Sequence, residues 1–422
     1  MNQSKLYFLT LFLLIMTVSL SGIEADKPGK NYSMSVSDTK GSIPISWSET
    51  KNIKWKTAVH GKGWSTPLIL GDQIWFTTAA EDGKKMYAVC ISRESGKILQ
   101  DILVIENLKV NWKNETNTYA TPSPVTAGGY IYAEFGPYGT VCVEAKSGKI
   151  IWKRTDVSSE NIPHGAASSP VIYKNLLILQ HDAANSHKIT ALNRMTGATV
   201  WQVNRPPEFY KDLREDWRKS HSTPIIISVN GKDQLISQSS QLCQVLEPET
   251  GKEIWRVTYT GGDGTITSPL FRNGIAYINT GNTNKEIWAV RPDGKGDVTN
   301  TNVIWKFSEN VPGISTPVIT DGMIFMINDK GILSCLDIKT GQLVWKEKIQ
   351  GSYGFNFAPV AIEKNVYFTD MDGVTTIIKA DRKFQKVAEN KLEGKFIAPP
   401  VVSGNSLIMR SDTHIYRIEN LK

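Results

Sequence analysis

One short phrase, a small residue followed by Ser or Thr and then Pro, constrains the fold of this chain more than any other feature. It recurs eight times with some drift, and its prolines are Pro67, Pro124, Pro170, Pro224, Pro269, Pro317, Pro359 and Pro400. The spacings between these prolines run from 41 to 57 residues. A repeat of that period indicates an array of similar units that pack on one another, and not a set of unrelated domains.

A second phrase follows the first in most units and ends on tryptophan. In one copy, NDKGILSCLDIKTGQLVWKEKI, alternating residues lead into a Thr-Gly turn, and Trp345 stands four residues after the turn glycine. Three other copies place a tryptophan at the same position: Trp152, Trp201 and Trp255. The first copy has Gln100 there instead. Because one unit cannot bury its own faces, we expect this tryptophan to lie buried on the outer strand of each unit.

The strand pattern within each unit predicts the fold class. Each unit contains about four short runs of β-type residues joined by glycine-containing hairpin turns. Helical periodicity is nearly absent, with one candidate helix at 208–219. The sequence therefore predicts an all-β chain, an eight-bladed β-propeller of four-stranded antiparallel blades. The last unit supplies only three strands, so we expect an N-terminal strand at 52–58, NIKWKTA, to complete the last blade and close the ring.

The N-terminal residues have the pattern of an export signal. Lys5 precedes a largely apolar run of 15 residues, and a small-residue stretch ends at Ala25. We expect a cleaved signal peptide at 1–25, a linker at 26–45 and the propeller at 46–422; an uncleaved anchor is the alternative. No Cys follows the apolar run in a position for lipid attachment, and no later segment is apolar enough to span a membrane. We therefore expect a periplasmic or secreted protein.

Charge and cysteine usage exclude several classes of partner. The formal net charge of +7 is scattered without a basic tract, which argues against nucleic-acid binding. There are four cysteines, Cys90, Cys142, Cys243 and Cys335, and all but the third stand six residues before a turn glycine. We expect them to be buried small hydrophobic residues in different units, with disulfides as the alternative for an exported chain. No Cys-x-x-Cys pair is present, which disfavours zinc. We expect a monomer.

The Leu-(Asp/Glu/Asn)-x-x-(Thr/Ser)-Gly-x-x-x-Trp phrase resembles the PQQ-like repeat. Quinoprotein alcohol dehydrogenases share that repeat with the outer-membrane assembly lipoprotein BamB. Stretches such as NTYATPSPV, HGAASSP, RPDGKGDVT and NDKGILSCLD look like the exported PQQ-binding-like β-propeller repeat proteins, and the likeness covers 46–422. The resemblance implies eight blades.

The resemblance leaves the function open. The quinoprotein dehydrogenases carry two adjacent cysteines over the quinone, a calcium-binding acidic set and a catalytic Asp. This sequence has no adjacent cysteines and no stretch that matches the other two motifs, so no catalytic residue carries over. We expect no cofactor and no metal, and PQQ with calcium is the disfavoured alternative.

One face of such a propeller is the place for a site. The loops that enter the innermost strands gather there around the axis, together with the loops between second and third strands. Five of the six histidines lie in these loops with aromatic and polar residues. The candidate ligand-binding residues of this axial face are Trp64, Tyr119, His164, His181, Asp182, Trp217, His221, Tyr353 and Asn356.

Three interpretations of the axial face stay open. In the first, these residues cap the central channel of the propeller. In the second, they line a funnel that binds a small molecule, a saccharide or a peptide, and in the third, they form a metal or catalytic centre. No histidine spacing is typical of metal ligands, which disfavours the third interpretation. The insertion at 204–223 suits a partner surface or lid as well as a solvated excursion.

The sequence favours a non-catalytic ligand-binding or protein-interaction scaffold in the periplasm or cell envelope. Its partner would be an envelope protein or a small-molecule or saccharide ligand at the axial face. The alternative is an enzyme, either a PQQ- and calcium-dependent oxidoreductase or a carbohydrate-active enzyme, that uses the same axial funnel.

Overall fold

The computed structural model describes residues 42–107, 109–157, 164–261, 264–349, 354–355 and 357–421. This part of the chain forms eight β-sheets, in which every pairing of strands is antiparallel except that of one short additional strand. Its helical segments are three 3-10 turns, Gly136–Tyr138, Pro207–Phe209 and Glu215–Trp217. The predicted eight-bladed propeller is thus confirmed. The expected signal peptide at 1–25 lies outside the described residues.

The first strand, β1 (Ile53–Ala58), belongs to the last blade, and blades 1 to 4 follow it along the chain. Blade 1 contains β2 (Leu68–Leu70), β3 (Gln73–Ala79), β4 (Lys85–Ser92) and β5 (Ile98–Glu106). Blade 2 contains β6 (Val125–Ala127), β7 (Tyr130–Glu134), β8 (Thr140–Glu144) and β9 (Ile150–Arg154). Blade 3 contains β10 (Val171–Tyr173), β11 (Leu176–Asp182), β12 (His187–Asn193) and β13 (Thr199–Asn204). Blade 4 contains β14 (Ile225–Val229), β15 (Lys232–Ser239), β16 (Leu242–Leu246) and β17 (Glu253–Thr258).

Blades 5 to 8 repeat this order from the innermost strand outward. Blade 5 contains β18 (Leu270–Arg272), β19 (Ile275–Asn279), β20 (Ile287–Val290) and, after a short β21 (Gly296–Asp297), β22 (Val303–Phe307). Blade 6 contains β23 (Val318–Thr320), β24 (Met323–Ile327), β25 (Ile332–Asp337) and β26 (Leu343–Lys348). Blade 7 contains β27 (Val360–Ile362), β28 (Asn365–Thr369), β29 (Val374–Lys379) and β30 (Lys386–Lys391). Blade 8 contains β31 (Val401–Ser403), β32 (Ser406–Arg410), β33 (His414–Ile418) and β1.

The N-terminal strand completes the last blade as predicted. β1 pairs antiparallel with β33, so that Trp55 lies opposite Arg417. Buried Arg410 of β32 reaches across to blade 1, where its guanidinium donates to the backbone oxygens of Ser65 and Thr77 at 2.9 Å each. Strand pairing therefore holds the N-terminal strand in the last blade, and the side-chain hydrogen bonds of Arg410 join the last blade to the first.

Hydrophobic packing also shows that the ring is closed. Each of the eight junctions between neighbouring blades holds its own cluster of buried apolar residues. The cluster between blades 8 and 1 includes Phe76, Ile408 and Ile415, all less than 1% exposed. Because every blade buries both faces against neighbours, no blade is stable as an isolated sheet.

The recurring tryptophan links each blade to the next one. The indole N–H of Trp152 donates to the carbonyl of Arg194 at 2.8 Å, in the turn of the following blade. Its ring lies against Gly197 of that turn, at which φ is +72°. Four other junctions repeat this N–H contact through Trp55, Trp201, Trp305 and Trp345. In the first copy Gln100 donates from Nε2 to the Ala145 carbonyl at 2.9 Å, so the amide replaces the indole as donor.

Blade 4 departs from this scheme. β21 adds to it as a fifth strand, parallel to β17, and places Gly296 beside Trp255. Trp255 is completely buried and donates to Gln234 within its own blade. The sequence predicted that the tryptophan would be buried in each copy that carries one, and Trp255 is completely buried. The tryptophans at the other junctions are only partly buried, since no strand covers them.

The Ser or Thr of the first phrase has a structural role that the sequence did not indicate. The backbone N–H of Thr66 donates to the hydroxyl of Ser123 at 2.9 Å, and Ser123 donates likewise to Ser169. Ser169 in turn donates to Thr223 at 3.0 Å. These residues precede the innermost strands of blades 1 to 4, so a line of hydrogen bonds runs from blade to blade near the axis.

Two other sequence expectations can be compared with the structure. The candidate helix at 208–219 is wrong, because this insertion contains only the 3-10 turns Pro207–Phe209 and Glu215–Trp217. The four cysteines are buried free thiols on the third strands of four different blades, and burial raises the pKa of each to about 12.

Candidate functional site

The structure places seven of the nine predicted site residues. Tyr353 and Asn356 lie outside the described residues. Trp64, Tyr119, His164 and His221 lie in segments that lead into innermost strands, as predicted. His181 and Asp182 do not lie in a loop; they are the last two residues of β11. Trp217 belongs to a 3-10 turn of the insertion, with the guanidinium carbon of Arg214 at 5.0 Å from its ring centroid.

An aromatic cleft surrounds Tyr119 at the connection between blades 1 and 2. It has a volume of about 340 Å³ including its open mouth, and its lining residues include Trp112, Tyr119, Phe135 and Tyr138. Trp112 is 66% exposed, the largest exposed fraction of any large hydrophobic side chain among the described residues. The ammonium of Lys113 lies 4.7 Å from the Tyr119 ring centroid, and burial lowers the pKa of this lysine. The cleft therefore presents aromatic surface to solvent.

A polar cleft adjoins the aromatic cleft, and Ala166 lines both. The polar cleft has a volume of about 310 Å³ including its mouth. Its polar lining comes from blades 2, 3 and 4 and consists of Glu134, Ser168, Gln180, His181, Asp182 and Ser220. The structure thus brings together the predicted residues His181 and Asp182, which lie beside a glutamate from the neighbouring blade.

The carboxylates of the polar cleft are already paired. Glu134 Oε1 lies 3.1 Å from His181 Nε2, and its other oxygen accepts from Thr140. Asp182 Oδ1 accepts from Arg205 Nε at 2.8 Å, and both of these side chains are completely buried. Asp182 is therefore paired with an opposite charge, whereas Glu134 is held by hydrogen-bonding groups.

Arg205 holds together a network beneath the polar cleft. Its remaining guanidinium nitrogens donate to Ser237 Oγ at 2.6 Å and to Gln244 Oε1 at 3.1 Å. Gln180 connects the same Ser237 hydroxyl to Asp182. The nearby Asp182 carboxylate raises the pKa of Arg205 against the effect of burial. This network fixes the orientation of Asp182, since almost every polar atom around it has a partner.

Three histidines, His164, His187 and His221, have lowered pKa values and are therefore mainly neutral at neutral pH. Burial lowers the pKa of His187 to about 4 and that of His221 to about 3. Burial also lowers the pKa of His164, whose ring centroid lies 6.1 Å from that of His221. His187 stacks on Tyr210 at 3.8 Å between centroids. These groups therefore act as uncharged hydrogen-bonding and packing groups.

The adjacent cysteines and the acidic metal-binding set of the quinoprotein dehydrogenases have no counterpart among the described residues. The four thiols lie in four different blades, so they supply no adjacent pair. Among the described residues, no group of three or more His, Cys, Asp or Glu side chains is arranged to hold a metal ion. The chemistry that these clefts support is hydrogen bonding and aromatic packing.

Sequence reasoning missed Glu134, Arg205 and Trp112. Glu134 ends the second strand of blade 2, as Asp182 ends that of blade 3, so a comparison of strand ends would have found it. Arg205 follows β13 directly and looked like part of a solvated insertion; no sequence signal marks its burial. Trp112 lies in an irregular connection without any motif.

Comparison with known proteins places the chain in a family. The family model described as outer membrane protein assembly factor BamB matches residues 101–212 and 185–420. Tetrathionate hydrolase of Acidithiobacillus ferrooxidans is 23% identical over 268 residues, which are 55% of this chain but only 48% of that enzyme. Outer membrane protein assembly factor BamB of Moranella endobia is 22% identical over 297 residues, 68% of this chain and 69% of that protein.

A solved structure has the same fold. BamB from Moraxella catarrhalis superposes with a TM-score of 0.61 at 14% identity, over 87% of this chain and 99% of that one. In the part of this chain that the structure describes, no helix is long and apolar enough to cross a membrane. The family match covers most of the eight blades, and the chain accordingly belongs to the BamB family of PQQ-like repeat β-propellers.

Proposed function

We propose that this protein is an exported, non-catalytic scaffold that binds other proteins of the cell envelope. The observation that carries the proposal is the match of residues 101–212 and 185–420 to the model of an outer membrane protein assembly factor. The BamB of Moranella endobia supports it, because the match extends over about two thirds of both chains, at 68% and 69%. The protein would act in the periplasm or at the envelope.

The rim of blades 1 to 3 is the surface best suited to a protein partner. Ten large hydrophobic side chains are exposed among the described residues, and half of them lie on three neighbouring outer strands, β5, β9 and β13: Ile98, Leu99, Leu103, Ile151 and Val200. Leu99 and Val200 are 51% and 52% exposed. Exposed apolar residues that concentrate on one side of a rigid ring are typical of protein-interaction surfaces.

A pull-down from envelope extracts tests this function. The immobilised protein is expected to recover outer-membrane assembly components, identified by mass spectrometry. The double variant Leu99→Asp, Val200→Asp should lose them, because a charge at the centre of an apolar contact must be desolvated on binding. Lys348→Asp on β26 is the matched control, since it also adds an acidic group to an exposed outer strand. Recovery of no assembly component by the unaltered protein would remove the proposal.

A further inference from the structure

The junction between blades 7 and 8 lacks the side chain that the outer strand supplies at every other junction. That position holds a tryptophan in six blades and Gln100 in blade 1. In blade 6, Trp345 lies opposite Cys335 of the third strand. The equivalent pair in blade 7 is Ala388 opposite Ile377, and the same irregularity of register follows both pairs. A methyl group therefore stands where the other blades place a long side chain.

Blade 8 also lacks the turn to which a tryptophan on β30 would donate. At five junctions the indole N–H donates to a carbonyl in the turn between the third and fourth strands of the next blade, as Trp152 does with Arg194. In blade 8 these two strands are β33 and β1, which come from opposite ends of the described chain, so no turn joins them. The space between blades 7 and 8 must therefore be filled in another way.

Trp47, from the segment that precedes β1, fills this space. Its side chain is 3% exposed and packs in one cluster with Tyr367 of blade 7 and Leu407 of blade 8. The ring centroids of Trp47 and Tyr367 are 6.3 Å apart, and those of Trp152 and Tyr132 in blade 2 are 6.2 Å apart. The Trp47 indole N–H has no partner among the described residues, in agreement with the missing turn. Trp47 thus replaces the indole that β30 does not supply.

The segment around Trp47 is held in the manner of an extended peptide. Asn390 Oδ1 accepts from the backbone N–H of Trp47 at 2.8 Å, and Asn390 Nδ2 donates to the carbonyl of Ile45 at 3.1 Å. Ile43 and Trp47 are 5% and 3% exposed, whereas Ile45 between them is 48% exposed. A side-chain amide both donates and accepts, so Asn390 can hold an extended backbone without a neighbouring strand. Two buried side chains, four residues apart, anchor the segment on either side of this contact.

We propose that the groove between blades 7 and 8 is a binding site for an extended peptide, and that residues 42–50 occupy it as the protein's own ligand. The groove selects a branched aliphatic side chain and, four residues later, a tryptophan. Residues 42–47 belong to no strand or bridge, so they can leave the groove while every strand of both blades stays paired. The tether to β1 keeps their local concentration high, which fills the groove in the intact chain. This groove is independent of the proposed protein-interaction rim of blades 1 to 3.

A cut in the folded full-length protein tests whether the segment behaves as a ligand. A cleavage sequence for a site-specific protease is inserted between Thr50 and Lys51, which are both exposed, and the protein is cut after purification. A fluorescently labelled peptide of residues 42–50 is then titrated into the cut protein and followed by anisotropy. Saturable binding, with the circular dichroism spectrum of the uncut protein retained, is the expected result. A cut protein that neither binds this peptide nor exchanges it for the cleaved segment would overturn the proposal.

Variants of the peptide and of the ring identify the contacts. Trp47→Ala in the peptide removes a buried indole and should weaken binding by at least about tenfold. Ile45→Ala is the matched control, because this side chain is half exposed, and it should bind as the unaltered peptide does. Asn390→Ala in the ring removes both backbone contacts and should weaken binding by about tenfold. Equal affinities of the Trp47→Ala and Ile45→Ala peptides would refute the assignment.

Hydrogen exchange of the uncut protein is a second test, which does not depend on the cut protein staying folded. A segment that leaves its groove locally exchanges its amides without global unfolding. The amide of Trp47 should therefore exchange faster than the amides of β28 and β29, in the middle of blade 7. Equal protection of Trp47 and of these two strands would show that the segment separates only when the ring unfolds, and the proposal would be wrong.

Discussion

The outer junctions and the axial polar network stabilise the same ring in different ways. At the junctions, one side chain repeats a single contact: Trp152 donates to the turn of the next blade at 2.8 Å, and other copies do the same. Under the polar cleft, Arg205 and Asp182 form a network that occurs once among the described residues and is completely buried. The junctions distribute stability over many partly exposed contacts, whereas the network concentrates it in one ion pair. A substitution at one junction should therefore lower the free energy of unfolding less than a substitution in the network of Arg205 and Asp182.

The largest effect is expected from Asp182→Asn. The amide keeps the shape of the carboxylate but leaves the buried Arg205 guanidinium without its counter-charge, which should lower the free energy of unfolding by about 4 kcal/mol. Urea denaturation followed by tryptophan fluorescence measures it. Asp216→Asn is the control, because its partner Arg214 is 2.8 Å away but 68% exposed, and it should cost less than about 1 kcal/mol. Similar losses in both variants would contradict the difference drawn between buried and exposed pairs.

Among the junctions, blade 4 should respond most strongly. Trp255→Ala should cost about 3 kcal/mol, at the low end for a buried tryptophan because the short β21 can collapse into the space. Trp152→Ala should cost about half as much, since part of its ring is already in contact with water. Thermal melts and urea midpoints of the two variants compare them. If Trp152→Ala lowered the free energy of unfolding more than Trp255→Ala, the complete burial of Trp255 beside β21 would add nothing to stability.

Acid should weaken the axial region before it affects the junctions. The pKa of His187 is about 4 in the folded protein, below its ordinary value near 6.5, mainly because of burial, while the charge of Asp182 acts in the opposite sense. The unfolded chain then binds more protons than the folded one between about pH 6.5 and 4, so stability is full above that window and falls as pH decreases through it. His187→Phe keeps the stacking on Tyr210 and should reduce this slope by up to about 1.4 kcal/mol per pH unit. Urea midpoints from pH 7 to 4 test it, and an unaltered slope would assign the acid sensitivity to other groups.

Two glycine-to-alanine substitutions at turns distinguish the cost of backbone strain from the cost of displacing the packed indole. Gly197 has φ +72°, and a Cβ there would lie 2.8 Å from Cδ2 of Trp152. Gly322 has φ +73° but no atom within 4 Å of such a Cβ. Gly322→Ala should cost about 1 kcal/mol from strain alone, and Gly197→Ala about 2 kcal/mol because the indole must move as well. Equal changes in the urea midpoint for Gly197→Ala and Gly322→Ala would show that close contact between the turn and the Trp152 indole does not contribute to stability.

The repeated parts of the molecule could be predicted from the sequence, because every copy solves the same packing problem. The number of blades and the closure of the ring through β1 could both be predicted from three features. These are the repeated prolines, the Thr-Gly turns and the N-terminal strand at 52–58. The pairing of Cys90 with Gln100 and of Cys142 with Trp152 across neighbouring strands follows the same repeat.

The unique parts could not be predicted in this way. Arg205 meets Asp182 from 23 residues away in sequence and Gln244 from 39 residues away, and no repeat relates these positions. The line of hydrogen bonds that runs from blade to blade near the axis could not be predicted for another reason. The phrase showed that Ser or Thr precedes Pro, but its partner is the same phrase of the next blade, as for Thr66 and Ser123, 57 residues apart. Contacts between blades need the geometry of the closed ring.

The smallest effect is expected at the junction where the repeat itself departs from tryptophan. Gln100→Met removes the Nε2 donor to the Ala145 carbonyl, but that carbonyl also accepts from Gln73 at 3.3 Å. The substitution also removes Gln100 Oε1, which is buried without a partner. Loss of a good donor and loss of an unsatisfied acceptor nearly cancel, so the change should stay below about 0.5 kcal/mol.

Trp152→Phe is the matched comparison for Gln100→Met. It removes the indole donor to Arg194 at an otherwise intact junction and should cost about 1 kcal/mol. Urea midpoints of the two variants, measured side by side, decide between a junction that depends on its hydrogen bond and one that depends on packing. A larger loss in Gln100→Met than in Trp152→Phe would mean that the amide is the stronger link, and that the first junction is no weaker than the others.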